Sequence, residues 1–122
     1  MNKKLFIDDE HFKSYEKYLE KSNTDKDLYR KSLLYILSSL DKFRRNIERI
    51  YNFDVGNINL KTFEEIPLSD SEEGLLRLAF HLFNYRNEFN LDSTFNSFES
   101  KRLKIALNAI QIRYYGNSVY EK

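Results

Sequence analysis

The chain has 122 residues, a net charge of +1, 41% hydrophobic and 32% charged residues, and no cysteine. That length suits one domain with a real core, and the absent cysteines exclude disulfides, thiolate metal sites and Cys nucleophiles. The near-neutral total argues against a generic DNA binder and against an overall nucleic-acid mimic.

The charge is nevertheless segregated. Residues 23–52 carry seven Lys/Arg against four Asp/Glu, residues 53–74 one against six, and residues 101–122 five against one. Three Gly and one Pro are too few for the turns of an all-β domain, so helices are favoured. Nine Tyr and ten Phe imply a core rich in rings, with some Tyr left half-exposed.

The N-terminal "MNKKLFIDDEHF" has only Leu5, Phe6 and Ile7 as an apolar run, too short for a secretory leader. No run reaches the roughly 20 apolar residues a bilayer requires, so the expected location is the cytoplasm. The first helix is predicted from Asp9 to Lys21, with Phe12, Tyr15 and Leu19 inward and Asp8 or Asp9 at its start. "SNTDKD" is a polar connection. "DLYRKSLLYILSSL" is apolar nearly all round and predicts a central helix.

"SLDKFRRNIERIYNF" reads as a third helix, since Phe43, Ile47, Ile50 and Tyr51 recur at helical spacing. It would put Lys42, Arg45 and Arg49 on one face, with Arg44 beside them. Arg can fork two N–H donors onto a phosphate or carboxylate, so this face is a candidate for nucleic acid, a nucleotide or an acidic protein patch. A solvated helix face is the commoner meaning of such a run. Gly56 predicts a turn with positive φ, and "LKTFEE" a short helix ending before Pro67.

"PLSDSEEG" predicts a strong helix start through a capping box, Ser69 with Glu72 or Asp70 with Glu73. The helix that follows, "GLLRLAFHLFNYRNEF", is the most apolar run, yet Arg77, His81, Asn84 and Glu88 interrupt it at spacings of four, three and four. On a helix those four share one face. They form either a recognition ridge or the wet edge of a buried helix, with Arg77 pairing to Glu73 one turn back. "NEFNLDSTFN" reads as a connection. The last helix is expected near residues 97–115, burying Phe98, Leu103, Ala106, Leu107 and Ile110 and stopping at Gly116. Its basic and aromatic end, with Lys101, Lys104, Arg113, Tyr114 and Tyr115, could stack on and hold bases.

The segments "LYRKSLLYILSSLDKFRRNIERIYNFDVGNINLKTF", "RLAFHLFN" and "ALNAIQIRYYG" together resemble an uncharacterised family of small proteins encoded by phages and integrative elements of Firmicutes. Arg44 and Arg113 match that family's repeated Arg positions. Two departures stand out: a Trp-Gln-Thr-Gly-Thr type segment is replaced here by "EIPLSDSEEG", and Asn-Leu-Trp-Asn becomes His81-Leu82-Phe83-Asn84. The resemblance implies a setting, that of a mobile-element accessory protein, and no reaction.

The sequence therefore predicts an all-α bundle of five to six helices in a single domain. Its core helices lie at 28–40, 71–85 and 97–115. No phosphate-cradling glycine loop, zinc-protease motif or nucleophile elbow is present, and two histidines far apart make a His-rich metal site unexpected. Neither an enzyme nor a cofactor is expected. The leading expectation is a binding protein that docks on a host or phage protein and blocks it, as anti-defence inhibitors such as anti-CRISPRs do. Its candidate residues are Arg44, Arg45, Arg49, Arg77, His81, Asn84, Arg113 and Tyr114. The alternative is nucleic-acid or nucleotide binding by the basic face, and a homodimer through a helix face is a further option.

Overall fold

The computed structural model describes residues 5–23, 26–84 and 87–116. Eight helices run in the order α1 (Asp9–Ser22), α2 (Leu28–Leu37), α3 (Asp41–Arg45), α4 (Ile47–Ile50), α5 (Thr62–Glu65), α6 (Asp70–Phe83), α7 (Leu91–Asn96) and α8 (Ser100–Tyr115). Between α4 and α5 a two-residue hairpin pairs β1 (Tyr51–Asn52) with β2 (Asn57–Ile58), antiparallel, Tyr51 opposite Ile58. The class is all-α, as predicted, with a higher helix count.

α2 is the axis of the bundle and packs against α6, α8 and α1. Its Leu33, Leu34, Tyr35, Ile36 and Leu37 are all without exposure, which explains why five consecutive residues there are apolar. α6 starts where the sequence says it should. Ser69 Oγ accepts from the Glu72 N–H, and Glu72 Oε1 accepts from the Ser69 N–H. Gly56 has φ +77°, and its N–H closes a turn onto the Asn52 carbonyl at 2.7 Å. Arg30 holds that turn in place, donating to the Gly56 carbonyl and to the Tyr51 hydroxyl, each at 2.8 Å.

Three expectations are corrected. The third helix is not continuous. It breaks at Asn46, whose side chain donates back to the Lys42 carbonyl at 2.8 Å and so competes with the helical ladder. Tyr51 leaves the helix for the hairpin and is buried there. "NEFNLDSTFN" contains α7, capped by Asn90 accepting from the Ser93 N–H. The third correction concerns α8, whose rotation differs from the one read in the sequence. Ile105, Ala106, Asn108, Ala109 and Ile112 are buried, whereas Leu103 and Leu107 are 38% and 46% exposed.

A buried polar network fixes that rotation. Asn108 Nδ2 donates to the Leu5 carbonyl and to the Tyr35 hydroxyl, each at 3.1 Å, and the Tyr35 hydroxyl itself donates to the Leu5 carbonyl. His11 completes the network. The Ile7 N–H donates to Nδ1 at 3.2 Å, so the proton sits on Nε2, which donates to the Tyr35 carbonyl at 2.8 Å. Both ring nitrogens are thus used in the neutral form. Burial lowers the His11 pKa from 6.5 to about 4, outweighing the raising influence of the Tyr35 carbonyl and Asp8. The positive charges of Arg44 and Lys104 lower it as well.

A cleft beside α6 and an uncovered face on α8

The polar stripe of α6 divides in two. Arg77 and His81 are on the helix and line a cleft of about 620 Å³ between α6 and α7, together with Asn87, Glu88, Phe89, Asn90, Ser93 and Thr94. A second hollow of about 330 Å³ shares Arg77, Ser93 and Thr94 and adds Asp70, Glu73 and Ser97. Asn84 is instead the C-cap of α6, and Glu88 reaches the cleft from beyond the helix end. Arg77 is largely occupied within the protein. Its Nε pairs with Glu73 at 2.9 Å, as the spacing predicts, and its guanidinium lies 4.2 Å from the Phe63 ring centre. The His81 ring stacks on Phe89 and donates from Nδ1 to the Asn87 carbonyl at 2.8 Å. Gly74 lets α7 come close, since a Cβ there would meet Thr94 Cγ2 at 3.2 Å.

The break at Asn46 separates Arg49, on α4, from Lys42, Arg44 and Arg45, on α3. Arg44 is partly buried and donates to the Ser38 carbonyl at 2.9 Å. Arg45 points outward and pairs with Asp41 at 2.7 Å. Arg49 lines a different, open hollow with Glu48, Asn59 and Glu65. Lys42 reaches the Pro67 carbonyl at 3.1 Å. Arg49 likewise reaches the Glu65 carbonyl at 3.4 Å, so Lys42 and Arg49 share the 65–67 side while Arg45 pairs with Asp41, and the expected face is only partly assembled.

α8 presents the clearest unpartnered surface. Leu103, Leu107, Ile110 and Tyr114 recur at spacings of four, three and four, so they form one stripe. Leu103, Leu107 and Tyr114 are 38%, 46% and 64% exposed, and Ile110 is half-buried. At about 100° per residue this stripe lies roughly opposite the buried one of Ile105, Ala109 and Ile112. α8 is thus apolar on two opposed faces, of which the described residues cover one and, at Ile110, the edge of the other. At the C-terminal end the stripe is widened by Tyr29 of α2, 45% exposed. The Arg113 guanidinium lies 3.6 Å from the Tyr29 ring centre and 4.8 Å from that of Tyr114. Its Nε donates to the Leu82 carbonyl at 3.1 Å, near the end of α6.

The match to known proteins is decided over the whole chain. This chain belongs to DUF6075, a family of unknown function, whose sequence model matches residues 1–122. No curated protein and no solved structure matches it. The match agrees with the expectation of an uncharacterised family and supplies no reaction.

Among the described residues no group of three or more His, Asp or Glu is arranged to hold a metal ion. Among them too, no helix is long and apolar enough to cross a membrane. Of the candidates from sequence, Arg77 and His81 share the α6–α7 cleft, and Arg113 and Tyr114 share the end of the α8 stripe. Arg44, Arg45 and Arg49 are not brought together with either. The sequence reading missed Leu103, Leu107 and Tyr29 as surface residues. The available signal was the pair Ala106 and Ala109, small side chains that let a helix lie close to its neighbours.

Proposed function

We propose that this member of DUF6075 is a non-enzymatic binding protein that docks on another protein through the outward face of α8. In the phage or mobile-element setting that the sequence resemblance implies, it blocks its target in the cytoplasm, as anti-CRISPR-type inhibitors do. The observation that carries this reading is the second apolar face of α8, with Leu103, Leu107 and Tyr114 in solvent beside Tyr29 and Arg113. Aromatic residues and Arg are enriched where protein interfaces concentrate their binding energy. Contiguous apolar surface left in solvent marks interaction sites. Nucleic-acid binding by Arg44, Arg45 and Arg49 has less support, because Arg44 is spent on the Ser38 carbonyl, Arg45 on Asp41, and Arg49 lies beyond the break at Asn46 beside Glu48 and Glu65.

The test is site-specific photo-crosslinking in host cells, with a photoreactive residue at Leu107 and, for comparison, at Lys17 on the solvent side of α1. A discrete, nuclease-resistant protein adduct at position 107 and none at position 17 is the expected result. No adduct at 107, or only nuclease-sensitive ones, overturns the reading.

A further inference from the structure

We infer that the outward face of α8 takes a partner surface of one particular chemistry: an apolar ridge bordered by carboxylates. The inference rests on the docking reading above and goes beyond it by naming what the partner presents.

Charge is the first ground. α8 carries Lys101, Arg102, Lys104 and Arg113 and no Asp or Glu. Arg102 is paired with Glu99 at the helix start, at 3.1 Å, whereas Lys104 is exposed and has no ion pair among the described residues. By helical position Lys104 borders the apolar stripe on one side and Arg113 on the other. A ridge of Leu and Ile offers nothing to a phosphate backbone, and it gives an apolar protein surface a place to be buried. The flanking cations then favour anions on the partner, and on a protein surface these are Asp and Glu.

The state of Arg113 is the second ground. Its guanidinium is held against Tyr29 and Tyr114, and its Nε is spent on the Leu82 carbonyl. The two Nη nitrogens have no hydrogen-bond partner among the described residues. The side chain is therefore already immobilised with its fork unused. A carboxylate arriving there gains charge-assisted hydrogen bonds without the entropy cost of ordering a free arginine.

The same charges disfavour a second copy of this chain as occupant. Two α8 faces meeting about a two-fold axis would set cationic edges together, with no carboxylate on either helix. The chain's own acidic stretch, residues 53–74, lies on other elements. A second copy would therefore have to bring that separate acidic stretch, rather than its own α8, against this face.

The experiment takes the adduct formed at position 107 and sequences the crosslinked peptide of the partner. It also measures adduct yield in Lys104→Glu and Arg113→Gln backgrounds, with melting temperature as the check on folding. Among the described residues Lys104 makes no hydrogen bond or ion pair, so Lys104→Glu keeps the test informative even where Arg113→Gln loosens the end of α6. The expected result is a peptide in which Asp or Glu flank apolar residues, with yield reduced about tenfold by Lys104→Glu. A neutral or basic peptide, a yield indifferent to Lys104→Glu, or an adduct with this chain itself or with lipid overturns the inference. The first two of those leave the docking reading standing. Absence of any adduct in the wild type removes both.

Discussion

α6 and α8 are similar in length, 14 and 16 residues, and both pack on α2, yet they use their apolar residues differently. α6 buries Leu75, Leu76, Leu78, Ala79, Phe80 and Leu82 and leaves one polar edge, with Arg77 outermost. α8 buries a thinner stripe of Ile and Ala and leaves Leu103, Leu107 and Tyr114 outside. Burying apolar area stabilises a fold, and on the docking reading proposed above the large side chains that α8 leaves in water are kept for a partner. The contrast separates a helix that serves the core from one that also serves the surface.

The sharpest way to break the comparison is to truncate one leucine on each helix. Leu76→Ala removes a side chain with no exposure and is expected to cost about 3 kcal/mol of unfolding free energy, read by urea denaturation. A loss under about 1 kcal/mol would mean that α6 is not the core element described.

The next largest effect sharpens the account of the inner side of α8. His11 is neutral in the fold and lies in the network that anchors Asn108. Its pKa falls from 6.5 to about 4, so the unfolded chain binds the proton first as pH drops. The stability that neutral His11 contributes is complete above about pH 6.5 and declines between pH 6.5 and 4. A further fall in pH removes no more of it. A shift of that size corresponds to about 3 kcal/mol. Denaturation curves at pH 7 and pH 4.5 should show most of this difference in the wild type and not in a His11→Gln variant. Equal pH dependence in the two would contradict the assignment.

Ser69→Ala, which removes one half of the α6 capping box, is expected to cost about 1 kcal/mol. Smallest of all is Leu107→Ala on the outer face of α8, with a stability change within about 0.5 kcal/mol. The same substitution should nevertheless weaken docking, measured as loss of the crosslinked adduct from a photoreactive residue placed at Leu103. A large destabilisation by Leu107→Ala would place that side chain in the core after all.

Much of the fold was legible in the sequence because several signals act locally. The Ser69–Glu72 capping box, the positive φ at Gly56 and the apolar run of α2 depend on neighbours a few residues away. The rotation of α8 was not legible, because both of its faces are apolar and the larger set, with Leu103 and Leu107, looks like the core. The choice is made by Asn108, whose partners Tyr35 and Leu5 lie 73 and 103 residues away. The break within the expected Arg helix was not legible for a similar reason, since nothing in "KFRRNIER" signals that Asn46 will bond back to Lys42 and end the helix. The α6 stripe was half legible. Its register gave Arg77 and His81, while Glu88 reaches the same cleft from beyond the helix, which ends at Phe83.

The central claim is that the outer face of α8 is open in the free protein and covered when its target is bound. Hydroxyl-radical footprinting of the purified protein and of the crosslink-identified complex reads this side chain by side chain. The account predicts that Leu103, Leu107 and Tyr114 are oxidised in the free protein and protected in the complex, while Val55 and Leu60 react equally in both. Equal oxidation of the α8 residues in the two states, or their protection in the free protein, would contradict it.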